Sequence, residues 1–206
     1  MFYDRADAGE KLAKNLVKYQ NQPDTLVLGM PRGGIVCAKV VANKLNLPLD
    51  IVIAKKISAP NNPEYAIGGV TSSGEPVLND EVIGTMGITP DYLDNAIIKL
   101  RDEIKQKLEL YRRGKKPLVI KNKNVIIVDD GVATGHTILA AVEFVKSQNP
   151  KTIIIAIPVA PTELLELLKN KVDDLICLET PAEFFAVGQF YEQFDQVEDK
   201  QVNNFV

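Results

Sequence analysis

The sequence predicts an α/β fold: a parallel twisted sheet with helices on both faces, a Rossmann-like three-layer arrangement. Two observations carry that expectation. Strongly apolar runs at Thr25–Leu28, Leu49–Ala54, Val125–Val128 and Thr152–Ile157 alternate with stretches of helical period. Runs without polar alternation belong to strands covered on both faces, and their alternation with helices argues a parallel sheet. Twice, such a run feeds a glycine-bearing loop that opens a helix. A length of 206 residues, 46% hydrophobic and 25% charged, suits one domain, or one with a small appendage.

Residues 6–19 carry Leu12, Leu16, Val17 and Tyr19 at helical spacing, which predicts an amphipathic helix on the outside of the sheet. Pro23 ends the connection and Thr25–Leu28 is the first strand. Gly29-Met30-Pro31-Arg32-Gly33-Gly34 then leads into a helix over Ile35–Leu45. Gly33 and Gly34 let the backbone approach a ligand closely. Arg32 supplies a forked cation suited to phosphate. Pro48 precedes a strand over Leu49–Ala54, and Lys55 and Lys56 stand at its end. They read as an anion anchor or as a solvated charge pair. From Ser58 to Pro76 the chain is rich in Pro, Asn, Gly and Ser, a loop too long to be idle in a compact domain. Within it, Val70–Val77 reads as a small hairpin around Ser72-Ser73-Gly74-Glu75.

Thr89-Pro90-Asp91 is a helix start, with Thr as cap and Pro in the first turn. Leu93, Ile97, Leu100, Ile104, Leu108 and Tyr111 line one stripe of a helix that runs to Arg113, and Gly114 ends it. At 1.5 Å per residue it would be ~34 Å long. That exceeds what a crossover needs, so a homodimer contact is one use for the surplus. Arg112, Arg113, Lys115 and Lys116 at its end complement the helix dipole. After Val125–Val128 comes a helix over Ile138–Lys146. Thr152–Ile157 is a strand stopped by Pro158. Pro161-Thr162-Glu163 starts a helix through Lys169, and Asp174–Leu178 is a short further strand. Glu179–Tyr191 concentrates four aromatics in a chain only 6% aromatic. They pin the tail to the sheet, or some stack on a substrate. The charged segment from Asp195 predicts a short terminal helix.

The chemistry concentrates at the end of the strand Val125–Val128. Asp129 and Asp130 follow it, then Gly131-Val132-Ala133-Thr134-Gly135-His136-Thr137. Strand, small-residue loop and helix start gather backbone N–H groups and the positive helix end around a phosphate. Two carboxylates repel phosphate but suit hydroxyls or a cation. Adjacent acids at a buried strand end are costly without a role. The ligand implied carries a phosphate beside a diol, and ribose 5-phosphate fits. The loop is not a Walker A motif, which needs Gly-Lys-Ser/Thr at the helix start, nor a dinucleotide fingerprint.

Val125–Thr137 resembles the motif with which type I phosphoribosyltransferases bind 5-phosphoribosyl 1-pyrophosphate (PRPP): a hydrophobic strand, two acids and a small loop ending in Thr-Gly-x-Thr. Met30–Gly34 resembles the pyrophosphate loop of the same family, which often holds a cis peptide; Pro31–Arg32 is the corresponding bond here. The resemblance runs from Thr25 to Ile157. The Gly29–Gly34 and Glu179–Tyr191 segments also resemble a group of bacterial phosphoribosyltransferase-like proteins of unassigned substrate. It implies displacement of pyrophosphate from the anomeric carbon of PRPP by a nitrogen acceptor, a nucleobase, with Mg2+ bridging pyrophosphate and ribose hydroxyls and reached by Asp129 or Asp130. It assigns the 5-phosphate to Ala133, Thr134, Gly135, His136 and Thr137. Pyrophosphate falls to Pro31, Arg32, Gly33, Lys55 and Lys56. Asp129, Asp130 and Glu64 become the catalytic candidates. His136 stands where the family more often shows a small residue, Lys or Asn, and either assists the phosphate or caps the helix. Ala133 stands where 6-oxopurine enzymes carry an Asp, which disfavours hypoxanthine and guanine. The resemblance also divides the chain, 1–206, into a core at about 20–178, a flexible flap at about 58–78 that closes over the reacting centre, and a C-terminal hood or tail at about 179–206.

Composition narrows the remaining classes. A net charge of −3 argues against nucleic-acid binding through a basic face. No apolar run approaches the ~20 residues of a membrane span, and no signal peptide opens the chain, so a cytoplasmic protein is expected. Cys37 and Cys177 each sit in an apolar segment and read as buried free thiols. One histidine and no cysteine cluster leave a zinc site without support. Two other readings keep the same pocket: a PRPP- or nucleotide-sensing regulator, and a hydrolase of a ribosyl phosphate.

Overall fold

The computed structural model describes residues 1–73 and 75–205, the side chains of Pro63 and Glu64 excepted. In chain order the elements are α1 (Arg5–Asn15), β1 (Thr25–Gly29), α2 (Gly34–Leu45), β2 (Leu49–Ile51), β3 (Ala54–Ala59), β4 (Asn62–Thr71), β5 (Val77–Leu78), α3 (Asp80–Thr85), α4 (Pro90–Arg112), β6 (Asn124–Val128), α5 (His136–Ser147), β7 (Thr152–Val159), α6 (Thr162–Lys169), β8 (Asp174–Glu179) and α7 (Asp199–Val202). Five strands form a parallel sheet in the order β2-β1-β6-β7-β8. The α/β class expected from the apolar runs is the one observed.

The side chains explain why both faces are covered. In β6, Ile126 and Val128 enter one core, with α1 and α2 residues such as Leu12 and Val41. Val125 and Ile127 enter the other, with Ile138 and Val142 of α5 and Leu168 of α6. All five residues of β6 are buried. Each such aliphatic side chain contributes roughly 1.5–3 kcal/mol. The period of two thus survives in where the residues point, though every position is apolar or buried.

The chain departs from expectation where turn chemistry and pairing compete. The strand expected over Leu49–Ala54 stops at Ile51, and Ala54 instead begins a second, antiparallel sheet, β3-β4-β5. Much of the expected Ser58–Pro76 loop is strand, because β4 pairs back on β3 from Thr71↔Ala54 to Asn62↔Ala59. The hairpin expected at Val70–Val77 exists with its pairing set earlier, Gly68↔Leu78 and Gly69↔Val77. Pro158 does not stop β7. The β6 partner ends at Ala156, so the missing N–H of Pro158 costs the sheet nothing on that side, and Val159 still pairs with Glu179. Helix α3, capped by Asn79 through the Val82 amide at 3.1 Å, was not expected. Thr89 caps α4 as predicted, accepting from Tyr92 N at 3.3 Å. No helix among the described residues is long and apolar enough to cross a membrane.

Candidate active site

The register Gly29↔Val128 brings the ends of β1 and β6 side by side. The two loops that follow therefore leave the same sheet edge as neighbours. Met30 N donates to Val128 O at 2.9 Å and ties the first loop to the end of β6. The Pro31–Arg32 peptide in that loop is cis, as the resemblance implied. Helix α2 starts at Gly34 and α5 at His136, and neither has a side-chain cap or an acid in its first turn. Two helix N-termini with uncapped amides at adjacent strand ends offer paired anion sites.

Between them sit the acids. A Cβ at Gly33 would lie 1.9 Å from Asp130 Oδ2, and one at Gly34 would lie 2.4 Å from Asp129 Oδ1. The first loop therefore packs its bare backbone directly on both carboxylates, which only glycine permits. Asp129 Oδ1 accepts from Asp130 N at 2.9 Å. Burial pushes the Asp129 carboxyl well above the carboxylate range, and the neighbouring charge of Asp130 adds to it. The Cys37 thiol is pushed up by burial and by both acids, so it is the inert buried thiol expected.

Gly131 has φ +150 and Gly135 has φ +81, so the turn that carries the second loop into α5 rests on glycine. Ala133 and Thr134 are exposed, Gly135 is buried, and His136 and Thr137 are half-buried. The buried Nδ1 of His136 has no hydrogen-bond partner among the described residues. Burial, with nearby Lys56, holds the His136 pKa below the ordinary imidazole value. His136 is the first residue of α5, and no side chain caps that helix.

The pyrophosphate candidates are partly engaged elsewhere. Arg32 is exposed at its loop, 4.0 Å from Asp199 of α7. Lys55 is the second residue of β3 instead of following the parallel strand, and it forms an ion pair with Glu103 of α4. Lys56 lies on the same strand, exposed. The small sheet nonetheless abuts the site: a Cβ at Gly69 would meet His136 O at 2.8 Å. The side chain of Glu64, the third catalytic candidate, lies outside the described residues.

Two partners of the acids escaped the sequence. Arg5 Nε, from the first residue of α1, donates to Asp130 Oδ2 at 2.6 Å. Tyr191 OH donates to Asp130 O at 2.6 Å. Tyr191 belongs to the aromatic tail, whose rings act structurally: it bridges Phe2, stacks 4.8 Å from Phe194 and is buried. Phe185 is the exposed exception, at 85%. That two adjacent acids at a strand end suit hydroxyls or a cation was legible, but nothing pointed to Arg5 among 24 Lys and Arg residues. A cavity of about 590 Å³ lies apart from this edge, between β2, the 117–121 segment and Phe144 of α5. None of its lining residues belongs to either loop, and its buried polar wall, Asp50, is already paired to Arg112.

A parallel sheet with two helix N-termini flanking adjacent acids at one edge defines an α/β protein of the doubly wound kind. The chain belongs to the phosphoribosyl transferase domain family, whose model matches residues 2–194. A Mycobacterium tuberculosis protein, Rv0571c, provisionally named a phosphoribosyl transferase, is 36% identical over 206 residues, 100% of this chain and 46% of its own length. A uracil phosphoribosyltransferase of Malacoplasma penetrans is 40% identical over 106 residues, 51% of this chain and 46% of its own. The chain thus spans about half the length of the curated relatives it matches. The crystal structure of TT1426 from Thermus thermophilus superposes with a TM-score of 0.85 at 38% identity, covering 99% of this chain and 96% of that one.

Proposed function

We propose that this chain transfers the 5-phosphoribosyl group of PRPP to a nitrogen acceptor, a nucleobase, with release of pyrophosphate. The observation that carries the reading is the pair of uncapped helix N-termini, α2 and α5, flanking Asp129 and Asp130 at adjacent strand ends. In it, the amides of 133–137 with His136 hold the 5-phosphate. The backbone of Pro31–Gly33 with Arg32 holds pyrophosphate, and Lys55 and Lys56 approach from the small sheet. Positive charge builds on the ribose as the leaving group departs. In this reading Asp129 and Asp130 face the ribose hydroxyls, and the anion loops neutralise the group that leaves. Glu64, on the hairpin, is the candidate for the acceptor side, and closure of the 58–78 hairpin would exclude water. Ala133 disfavours a 6-oxopurine, and a uracil phosphoribosyltransferase among the relatives makes a pyrimidine the first acceptor to try.

Among the described residues no group of three or more His, Cys, Asp and Glu could hold an ion, and Asp130 already carries a guanidinium. Magnesium belongs to the substrate in this reading, chelated by PRPP oxygens. The test is pyrophosphate release from magnesium-PRPP with a panel of nucleobases and amines. Acceptor-dependent release is expected. Tight PRPP binding without turnover on any acceptor would replace the transferase by a sensor. Release without an acceptor would replace it by a hydrolase.

A further inference from the structure

We infer that Arg5 is a positioning residue that takes a cation's place at Asp130, so that a ribose diol meets this acidic pair chiefly through Asp129. The inference rests on the phosphoribosyl reading of the site. Its geometry does not.

Arg5 opens α1, where the helix dipole disfavours a positive side chain. Helix energetics therefore do not account for an arginine there, whereas Asp130 does. Nε lies 2.6 Å from Asp130 Oδ2, and the two side chains are only 11% and 14% exposed. The guanidinium is fixed from two further directions: Nη1 donates to Asp195 O at 2.7 Å, and Cζ sits 3.8 Å over the Phe194 ring. The pyrophosphate-loop backbone closes the fourth side, since a Cβ at Gly33 would meet Arg5 Nε at 2.7 Å as well as Asp130 Oδ2. An ion at that oxygen would have to displace a guanidinium held by three separate segments. Of two adjacent acids, one is thus neutralised from within the chain. The guanidinium orients Asp130 without a metal, and it ties the N-terminal helix, the acidic motif and the C-terminal tail to one point.

The test is Mn2+ binding to the full chain by electron paramagnetic resonance, with no PRPP present. Wild type, Arg5→Lys, Arg5→Met and Arg5→Met combined with Asp130→Asn are compared. Opening the carboxylate should let Arg5→Met bind Mn2+ at least about tenfold tighter than wild type. Arg5→Lys, which keeps a cation, should stay near wild type, and the double variant should lose the gain. Should Arg5→Met not fold, Arg5→Gln, which keeps a donor without the charge, makes the same comparison. Equal Mn2+ binding by wild type and the charge-removed variant would overturn the inference, as would a gain that survives Asp130→Asn. PRPP titration of the same proteins separates the two readings. Failure of every form to bind PRPP would sink the transferase proposal while the Mn2+ comparison still decides the role of Arg5.

Discussion

Arg112 holds both oxygens of Asp50, Nε to Oδ1 at 3.0 Å and Nη2 to Oδ2 at 3.2 Å. The same carboxylate accepts from Ile51 N at 2.7 Å and Leu118 N at 2.9 Å. Arg112 therefore does more than complement the dipole of α4: it clamps the helix end and the 117–121 segment to the edge strand β2. Asp50 is 7% exposed at its side chain and Arg112 18%. Arg112→Met leaves a buried carboxylate without a counter-charge and should cost about 3–5 kcal/mol in urea unfolding. Adding Asp50→Asn should recover part of it. A loss under about 1 kcal/mol would mean that the pair behaves as a surface contact.

The glycines of the first loop make a sharper test of the site. At Gly34 an alanine Cβ would stand 2.4 Å from Asp129 Oδ1 and 2.7 Å from its Cα, and backbone cannot yield as a side chain can. Gly34→Ala should destabilise by about 1–3 kcal/mol and abolish PRPP binding in calorimetry. Gly84, in α3, has nothing within 4 Å of the same added atom. Gly84→Ala should stabilise by about 0.5–1 kcal/mol and leave PRPP binding unchanged. Equal behaviour of the two variants would disprove the close approach of loop and acids.

The sheet and the two loops at its edge were legible because their signals are local. Val125–Val128 is apolar throughout, Asp129 and Asp130 break it at once, and Gly131 and Gly135 occupy the positive-φ positions that only such residues fill cheaply. What was hidden depended on long-range pairing. Lys55 looked like the end of a parallel strand, but Ala54 pairs with Thr71, and that choice is made by a partner outside the local pattern. Arg5 and Asp130 are 125 residues apart, and no local pattern joins an N-terminal arginine to a strand-end acid. Tyr191 was visible as part of an aromatic cluster, yet its bond to Asp130 O follows from the bridge between Phe2 and Tyr191, which joins the two ends of the chain.

Lys55 is bound to Glu103, and that carboxyl is held below the ordinary glutamate value by the lysine's hydrogen bond. If Lys55 is to serve pyrophosphate, the anion must compete with Glu103. Glu103→Gln should then tighten inorganic pyrophosphate about 3-fold at low salt, and the gain should fade as salt rises. Lys55→Ala should weaken it in either background. No change in either variant, measured by calorimetry, would remove Lys55 from the anion site and leave it as the strut between β3 and α4.

Asp129 sets how stability should respond to pH. Burial raises its carboxyl, the charge of Asp130 raises it further, and the hydrogen bond from Asp130 N opposes both. Above the unfolded aspartate value of ~3.9, the unfolded chain has released this proton while the folded chain still holds it. Folded protein then binds more protons than unfolded, so this group's contribution falls as pH rises from there through its raised folded value. Asp129→Asn removes the penalty. The variant should gain about 1 kcal/mol or more at neutral pH, and its melting temperature should vary less between pH 4 and pH 7 than that of the wild type, the pH range of the scan being about that wide by the same linkage. It should also lose PRPP binding, the exchange of stability for function seen where an active site keeps a costly group. A variant no more stable than wild type at neutral pH would show that Asp129 is ionised without strain in the folded chain.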